Sequence, residues 1–267
     1  MSTTTVDGTR INYTDTGGDG TAVVLLHAFP FSSNMWEPQV EALGDRFRFI
    51  LPDLLGFGDS DAPDDPGAYS MDAFADQTAA VIDDLNLDRV AFGGLSMGGY
   101  AAFAFLRKYR DKVNALVLAD TKAEADPPEG VEKRTGQQKL VRDEGTSNLI
   151  EGLAGALLSE PTREKKPDVV EKVKKLMAEN PPAGFIGALE AMKKRPDSSS
   201  ELTQIDVPTL VIVGENDGIT PPDAARKIHE HVGGSRLVVI PESGHLSNLE
   251  APEAFNGALA EFLGGLG

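Results

Sequence analysis

The chain has 267 residues, no cysteine, and 42 acidic against 25 basic side chains, for a net charge of -17. This length suits one α/β domain with an insertion. The absence of thiols excludes disulfides, thiolate metal sites and a cysteine nucleophile. The negative surface would repel phosphate backbones and anionic membranes, so we expect no nucleic-acid partner and no membrane association. Solubility and adaptation to high salt both remain open as explanations of the acidity.

No uninterrupted apolar stretch of 18 or more residues occurs, which argues against a transmembrane helix. The first eight residues, Met1 to Gly8, lack the basic and apolar regions of a secretory signal. We therefore expect a cytoplasmic protein, although a mature form that has lost its signal would show the same pattern.

Short apolar runs alternate with helical patterns in both outer parts of the chain. An Asp7-Gly8 turn before residues 9–14 predicts an opening β-hairpin. Six apolar runs predict buried strands, at residues 22–26, 47–51, 90–92, 115–118, 210–213 and 237–240. Helices are predicted after a Ser70 cap, at residues 97–109 and 250–263, and from Pro221-Pro222 onward through residues 224–232. The alternation predicts an α/β fold: a mostly parallel eight-stranded sheet with helices on both faces.

Residues 121–200 break this alternation, because no convincing strand occurs there and apolar residues recur at helical spacing. We predict a helical cap of three or four helices, inserted into a core formed by residues 1–120 and 201–267. A second independent domain is the alternative, but a segment that returns into an unfinished sheet favours a cap. Leu153, Leu157 and Phe185 are candidate pocket residues of this cap.

The segment around Ser96 carries the strongest chemical signal. Gly94, Ser96 and Gly98 form a G-x-S-x-G pattern between a predicted buried strand and a predicted helix. Such a turn forces the serine into an unfavourable backbone conformation, and only small residues two positions away avoid collision with it. The pattern therefore predicts a nucleophilic serine raised above the sheet edge. The alternative, a phosphate-binding turn, would need a P-loop lysine or G-x-G-x-x-G spacing, and both are missing.

A serine hydroxyl needs a general base, and histidine is the usual one. His229 and His231 lie among charged residues of a predicted helix, where solvation accounts for them. His27 ends a predicted buried strand, where a structural hydrogen bond is the better explanation. His245 follows the last predicted strand, at the same edge of the sheet as Ser96. We therefore predict His245 as the base; a loop histidine without a role is the alternative.

The base needs a carboxylate that fixes its tautomer and stabilises its charged form. Asp217 follows the strand predicted at residues 210–213, and the chain order Ser, Asp, His suits this type of nucleophile turn. We predict Asp217 as the acid. Asp120, which ends the strand predicted at residues 115–118, stays an alternative, and Glu215 is a weaker one close to its strand end.

Two backbone N–H groups should hold the negative oxygen of the tetrahedral intermediate. One belongs to Met97, at the start of the helix behind Ser96. The other should come from the loop after the strand at residues 22–26, where Phe29 is our choice. The Phe29 ring can pack in the core, line the acyl pocket, or do both.

Taken together, these motifs resemble the α/β-hydrolase superfamily over nearly the whole chain outside residues 121–200. The matching pieces are His27-Ala28-Phe29-Pro30, Met35-Trp36, Pro52-Asp53, Gly56-Phe57-Gly58-Asp59-Ser60, Gly94-Leu95-Ser96-Met97-Gly98-Gly99, Gly214-Glu215-Asn216-Asp217 and Gly244-His245. Among subfamilies the chain resembles bacterial carboxylesterases, cofactor-free haloperoxidase-like esterases and 3-oxoadipate enol-lactonases. It departs from the usual pattern at Ala28, where relatives often have glycine. Haloalkane dehalogenases carry aspartate at the position of Ser96.

The residues and the resemblance imply a carboxylic ester hydrolase that forms an acyl-enzyme on small to medium esters. We expect no cofactor and no metal, because the histidines lack ligand spacing and cysteine is absent. The expected partner is a small-molecule ester or lactone, and the oligomeric state is left open. Lactone hydrolysis, a perhydrolase side activity and hydroxynitrile lyase chemistry are alternatives that share these residues. A receptor-like binding module with weak hydrolysis is the alternative from another class.

Overall fold

The structure is a computed structural model that describes residues 2–266, and a large β-sheet forms its centre. The strands are β1 (Ser2–Val6), β2 (Thr9–Asp15), β3 (Thr21–Leu26), β4 (Phe47–Pro52), β5 (Val90–Leu95), β6 (Val113–Ala119), β7 (Thr209–Gly214) and β8 (Arg236–Ile240). Their order across the eight-stranded sheet of these residues is β1-β2-β4-β3-β5-β6-β7-β8. The pairs β1–β2 and β2–β4 are antiparallel, and the others are parallel. The mostly parallel eight-stranded sheet predicted from the sequence is confirmed.

The central strands β5 and β7 are buried along their whole length. This burial explains why their apolar residues run without alternation, since helices cover both faces of a parallel sheet. β5 is longer than the run at residues 90–92 predicted, and it continues through Gly93 to Leu95. A Cβ atom at Gly93 would lie 2.2 Å from the carbonyl oxygen of Val117 on β6, so glycine permits this close strand contact.

Helices connect the strands and cover the sheet. They are α1 (Glu37–Leu43), α2 (Met71–Asp84), α3 (Met97–Tyr109), α4 (Pro128–Glu144), α5 (Ser147–Leu157), α6 (Glu160–Lys165), α7 (Pro167–Ala178), α8 (Pro182–Lys194), α9 (Pro222–His231), α10 (Ser247–Glu250) and α11 (Pro252–Gly264). Ser70 caps α2, because its hydroxyl accepts a hydrogen bond from the Ala73 N–H at 2.9 Å. Among residues 2–266, no helix is both long and apolar enough to span a membrane.

Two helical predictions were wrong in detail. The single helix predicted at residues 250–263 is divided at Ala251, which leaves the helical conformation before Pro252 begins α11. Proline disfavours the helical conformation in the residue that precedes it, which explains the break. Residues 121–200 contain five helices, α4 to α8, instead of three or four. Pro161 and Pro167 lie in the first turns of α6 and α7, and α6 has only six residues, so this short helix adds one to the expected number.

The parallel arrangement brings several strand ends to one edge of the sheet. β5 ends at Leu95, β7 at Gly214 and β8 at Ile240, and these three strands run in the same direction. The loops that follow them contain the predicted nucleophile, acid and base. Polar loops at the carboxyl edge of such a sheet form the usual binding crevice of α/β folds.

Candidate active site

The turn between β5 and α3 places Ser96 in a strained backbone conformation, with φ 56° and ψ -109°. Close approach of the surrounding backbone explains the two glycines of the motif. A Cβ atom at Gly94 would lie 2.5 Å from the Gly98 carbonyl carbon, and one at Gly98 would lie 2.2 Å from the Leu26 carbonyl oxygen. Any larger side chain at either position would therefore displace the turn. Ser96 itself is 8% exposed, at the bottom of an open pocket.

Ser96, His245 and Asp217 form a continuous hydrogen-bonded chain. The Ser96 hydroxyl lies 2.8 Å from His245 Nε2, and His245 Nδ1 lies 2.8 Å from Asp217 Oδ2. The other two side chains are buried, His245 at 2% and Asp217 at 3% exposure. The structure thus brings together the three side chains predicted as nucleophile, base and acid. This geometry allows proton transfer from the serine to the imidazole.

Asp217 is fixed by donors from its own loop. Its Oδ1 accepts the N–H groups of Ile219 at 2.8 Å and Thr220 at 3.0 Å, and its Oδ2 accepts the Thr220 hydroxyl at 2.7 Å. Burial would raise the pKa of Asp217, but the charge and hydrogen bond of His245 and the Thr220 donors outweigh it and lower that pKa. Burial likewise opposes a charge on His245, yet the Asp217 carboxylate holds the pKa of His245 above its usual 6.5.

Asp120, the alternative acid, makes no hydrogen bond to His245. It is fully buried, and its oxygens accept the Gly214 N–H at 2.8 Å and the Ser247 hydroxyl at 2.5 Å. Burial, followed by the negative charge of Asp217, raises the pKa of Asp120 to about 8. Asp120 therefore braces the loops around the histidine, and Asp217 is the carboxylate that contacts it.

The two backbone donors predicted for the oxyanion lie on either side of Ser96 in the chain. Met97 begins α3, and its N–H is one of the helix donors that have no acceptor within the helix. Neither its N–H nor that of Phe29 donates to another backbone group in residues 2–266. His27 is held in the structural role predicted for it: its Nε2 accepts the Leu54 N–H at 3.0 Å, and its Nδ1 lies 3.0 Å from the Ala28 carbonyl oxygen. Burial lowers the pKa of His27 to about 4, so this imidazole stays neutral.

A pocket of about 280 Å³ opens above Ser96 and His245. Its apolar wall includes Leu153 and Leu157 of α5, as predicted. Phe185 of α8 was wrongly expected there. It is fully buried, and its ring contacts that of Phe29 edge-on at 5.6 Å between centroids. No group of three or more His, Asp or Glu side chains in the described part of the chain is arranged to hold a metal ion.

Comparison with known proteins identifies the family that this architecture represents. Residues 21–252 match the family described as alpha/beta hydrolase fold. The chain belongs to this family. The hydrolase therefore has the fold that its motifs predicted, and the family match runs through the loops that carry Ser96, Asp217 and His245.

Several known proteins match this chain over nearly their whole length. A thermophilic esterase from Thermogutta terrifontis, solved with malate bound, is 41% identical, with 99% of this chain and 97% of that chain covered and a TM-score of 0.93. The enol-lactonase from Burkholderia xenovorans LB400 is 28% identical, covers 98% and 100% of the two chains, and has a TM-score of 0.90. The 3-oxoadipate enol-lactonase 2 of Acinetobacter baylyi is 28% identical over 258 residues, 96% of this chain and 94% of its own. The hydrolase is thus similar to both esterases and lactonases.

Glu250 is a structural partner of the site that the sequence did not reveal. It is 1% exposed, and its carboxylate accepts the Gly244 N–H at 2.9 Å and the Ser159 N–H at 2.8 Å. The His245 N–H donates to the Leu157 carbonyl oxygen at 2.8 Å, so the histidine loop of the hydrolase is joined to α5 and α6. Glu250 lay in a predicted terminal helix, and nothing in its spacing distinguished it from an exposed acidic side chain.

Proposed function

We propose that the protein hydrolyses carboxylic esters through an acyl-enzyme on Ser96. The observation that carries the proposal is the unbroken chain from the Ser96 hydroxyl through His245 to Asp217, with both contacts at 2.8 Å. The strained turn at Ser96 and the pocket directly above it add support. Membership of a hydrolase family with esterase relatives agrees with this chemistry.

In the proposed reaction, the Ser96 oxygen attacks the acyl carbon while its proton passes to His245 Nε2. The N–H groups of Phe29 and Met97 stabilise the resulting oxyanion. Asp217 keeps the Nδ1 proton of His245 in place and stabilises the imidazolium. His245 then gives its Nε2 proton to the leaving alcohol. Next it takes a proton from water, which attacks the acyl-enzyme, and the carboxylic acid leaves as Ser96 recovers its proton.

Residues 121–200 act in this proposal as a cap over a core of residues 1–120 and 201–267. The proposal is supported by the pocket lining, which combines Leu153, Leu157 and Met192 of the cap with Phe29 and Ile219 of the core. A pocket of about 280 Å³ suits a small-molecule ester. The apolar lining contributed by α5 would then hold the hydrocarbon part of the substrate.

Lactone hydrolysis is the second candidate, favoured by the similarity to enol-lactonases. A lactone is a cyclic ester, so attack by Ser96 opens the ring and keeps the alcohol attached to the acyl-enzyme. Water then releases a hydroxy acid, or the keto acid that its enol form gives. Parallel rates on p-nitrophenyl butyrate and on simple lactones would show which kind of substrate the pocket favours.

The test of the proposed function is covalent labelling of Ser96. A fluorophosphonate probe should add to the wild-type chain at Ser96, and mass spectrometry after brief exposure to p-nitrophenyl butyrate should find an acyl group there. Ser96→Ala should abolish both signals, whereas Ser147→Ala, at an exposed serine of α5, should keep them. A folded wild-type chain that takes up neither group would favour the receptor-like alternative.

A further inference from the structure

One wall of the pocket carries positive charge, which is unusual for a chain with a net charge of -17. Lys122, Lys133 and Arg134 line the pocket that contains Ser96 and His245. We call these three side chains the cationic wall. The only acidic side chain that lines the same pocket in the described residues is Asp126. Cations therefore exceed anions beside the reacting serine, although acidic residues dominate the chain as a whole.

Asp126 is already shared by several cations. Its Oδ1 lies 2.8 Å from Arg195 and 3.6 Å from Lys122, and its Oδ2 accepts a hydrogen bond from Arg134 Nε. Burial would raise the pKa of Asp126, but its hydrogen bonds to Arg195 and Arg134 outweigh this and hold it well below the usual value. One carboxylate thus faces three cationic side chains, which leaves a local excess of positive charge.

The cationic wall retains unused donors. Arg134 donates a hydrogen bond to Asp126 from its Nε alone. Its two terminal nitrogens have no hydrogen-bond acceptor within residues 2–266. Burial, followed by the charges of Arg195 and Arg134, lowers the pKa of Lys122. An added anion would relieve this repulsion. An arginine fork with free terminal nitrogens suits the two oxygens of a carboxylate.

Tyr100 supplies a neutral donor beside these cations. It is 5% exposed and lines the pocket together with Ser96 and Lys122. The guanidinium of Arg195 lies 4.1 Å from the centre of its ring, which holds the ring in place. The Tyr100 hydroxyl has no hydrogen-bond partner among the side chains and backbone groups that the structure describes. A buried phenol normally finds such a partner, so this hydroxyl is available to a ligand.

We propose that Lys122, Arg134 and Tyr100 bind a carboxylate group of the substrate, so that the preferred substrate is an anionic ester or lactone. This inference rests on the proposed function, because the carboxylate is placed relative to a bond that Ser96 cleaves. The alternative is that the cations only neutralise Asp126 and that the apolar wall alone determines which substrate binds. The two alternatives predict different rates for charged and uncharged versions of one ester.

The experiment compares two pairs of esters. The first pair, p-nitrophenyl hydrogen adipate and its methyl-capped diester, places the charge on the acyl side. The second, 4-carboxyphenyl butyrate and its methyl ester, places it on the alcohol side. Each kcat/KM is divided by the hydroxide-catalysed rate of the same ester, which removes intrinsic reactivity. We expect the anionic member of at least one pair to be favoured by about tenfold or more at low salt. The preference should shrink in about 1 M NaCl, which screens charge.

Substitutions in the cationic wall test whether it causes the preference for the anionic ester. Lys122→Met and Arg134→Leu should each reduce the anionic-to-neutral ratio of kcat/KM by about tenfold. Lys122→Glu should move the ratio towards the neutral ester. The matched control is Lys139→Met on α4, which removes an equal charge outside the pocket and should leave the ratio unchanged. If Arg134→Leu fails to fold because Asp126 loses a partner, Lys122→Met and the salt dependence carry the test.

The inference is overturned if the normalised kcat/KM is the same for the anionic and the neutral ester in both pairs. It is also overturned by a preference that neither Lys122→Met nor Arg134→Leu reduces. Labelling of Ser96 by fluorophosphonate in each variant separates this failure from failure of the proposed function. A chain that labels and cleaves neutral esters without favouring anionic ones keeps the proposed function and loses only the carboxylate site.

Discussion

The carboxyl edge of the sheet and the helical segment of residues 121–200 both line one pocket, but their ionisable side chains differ in how many of their hydrogen-bonding atoms have partners. At the sheet edge, the oxygens of Asp217 and both nitrogens of His245 have partners at about hydrogen-bond distance. On the helical side, Arg134 keeps unpaired donors. Fully paired groups give fixed geometry, whereas unpaired donors at a pocket surface await a ligand. In the two proposals, the sheet edge supplies the reacting side chains, whereas the cations that would bind the substrate lie in residues 121–200, with Tyr100 of α3 beside them.

The largest effect is expected from substitution of Asp217, which tests whether the sheet edge carries the chemistry. Asp217→Asn should reduce kcat by about 10⁴-fold, the loss that the same change causes in a serine protease triad, because the wrong histidine tautomer is favoured. Rates on p-nitrophenyl butyrate measure this. Asp120→Asn is the matched control and should cost less than about tenfold, since Asp120 bonds Gly214 and Ser247 and not the histidine. The reverse order of the two effects would make Asp120 the acid.

The helical side can be divided into core and pocket residues by two further truncations. Phe185→Ala should lower the free energy of unfolding by about 3–5 kcal/mol, because Phe185 is fully buried and leaves a cavity. Leu153→Ala removes a half-buried side chain that lines the pocket, so a smaller change in stability is expected, together with altered acyl-length preference. Urea unfolding measures the first effect and an ester series the second. Similar stability losses in both variants would argue against this division.

The link between the two sides can be weakened at Glu250. Glu250→Gln replaces one carboxylate oxygen by an NH₂ group, which then faces a backbone N–H of Gly244 or Ser159. We expect a loss of about 1–3 kcal/mol in the free energy of unfolding. Glu253→Gln, at an exposed position on α11, is the control and should have almost no effect. Equal urea midpoints for the two variants would show that Glu250 contributes nothing at this junction.

The smallest expected effect is a displaced pH dependence. His245 must be neutral to accept the Ser96 proton, so kcat/KM should fall as the pH drops through the pKa of His245. Because Asp217 raises that pKa, the acidic limb of the profile should have its midpoint above 6.5. A pH series of kcat/KM on a neutral ester provides the measurement. A midpoint below 6.5 would mean that burial of the imidazole outweighs the carboxylate.

The sequence predicted the sheet edge far better than the helical side, for a physical reason. Ser96, Asp217 and His245 each follow the end of a parallel strand, and parallel strands bring their carboxyl ends to a common edge. The helical side depends on how separate helices pack. Lys122, Arg134 and Arg195 meet around Asp126 although up to 73 positions separate them in the chain. Apolar spacing could not distinguish the buried Phe185 from the pocket residue Leu153, because both belong to apolar positions repeated at helical spacing.

The hydrogen bonds of Glu250 also bear on how such a protein can be modified. Its carboxylate joins the His245 loop to the start of α6, and its carbonyl oxygen accepts Lys166 Nζ at 2.7 Å. A helical segment grafted from a relative would therefore have to reproduce the backbone donors at Ser159 and the acceptor at Leu157. Grafts that exchange only the stretch before Leu157 would leave this junction intact. Such grafts would change the α4 side of the pocket and keep the hydrogen bonds that hold the His245 loop.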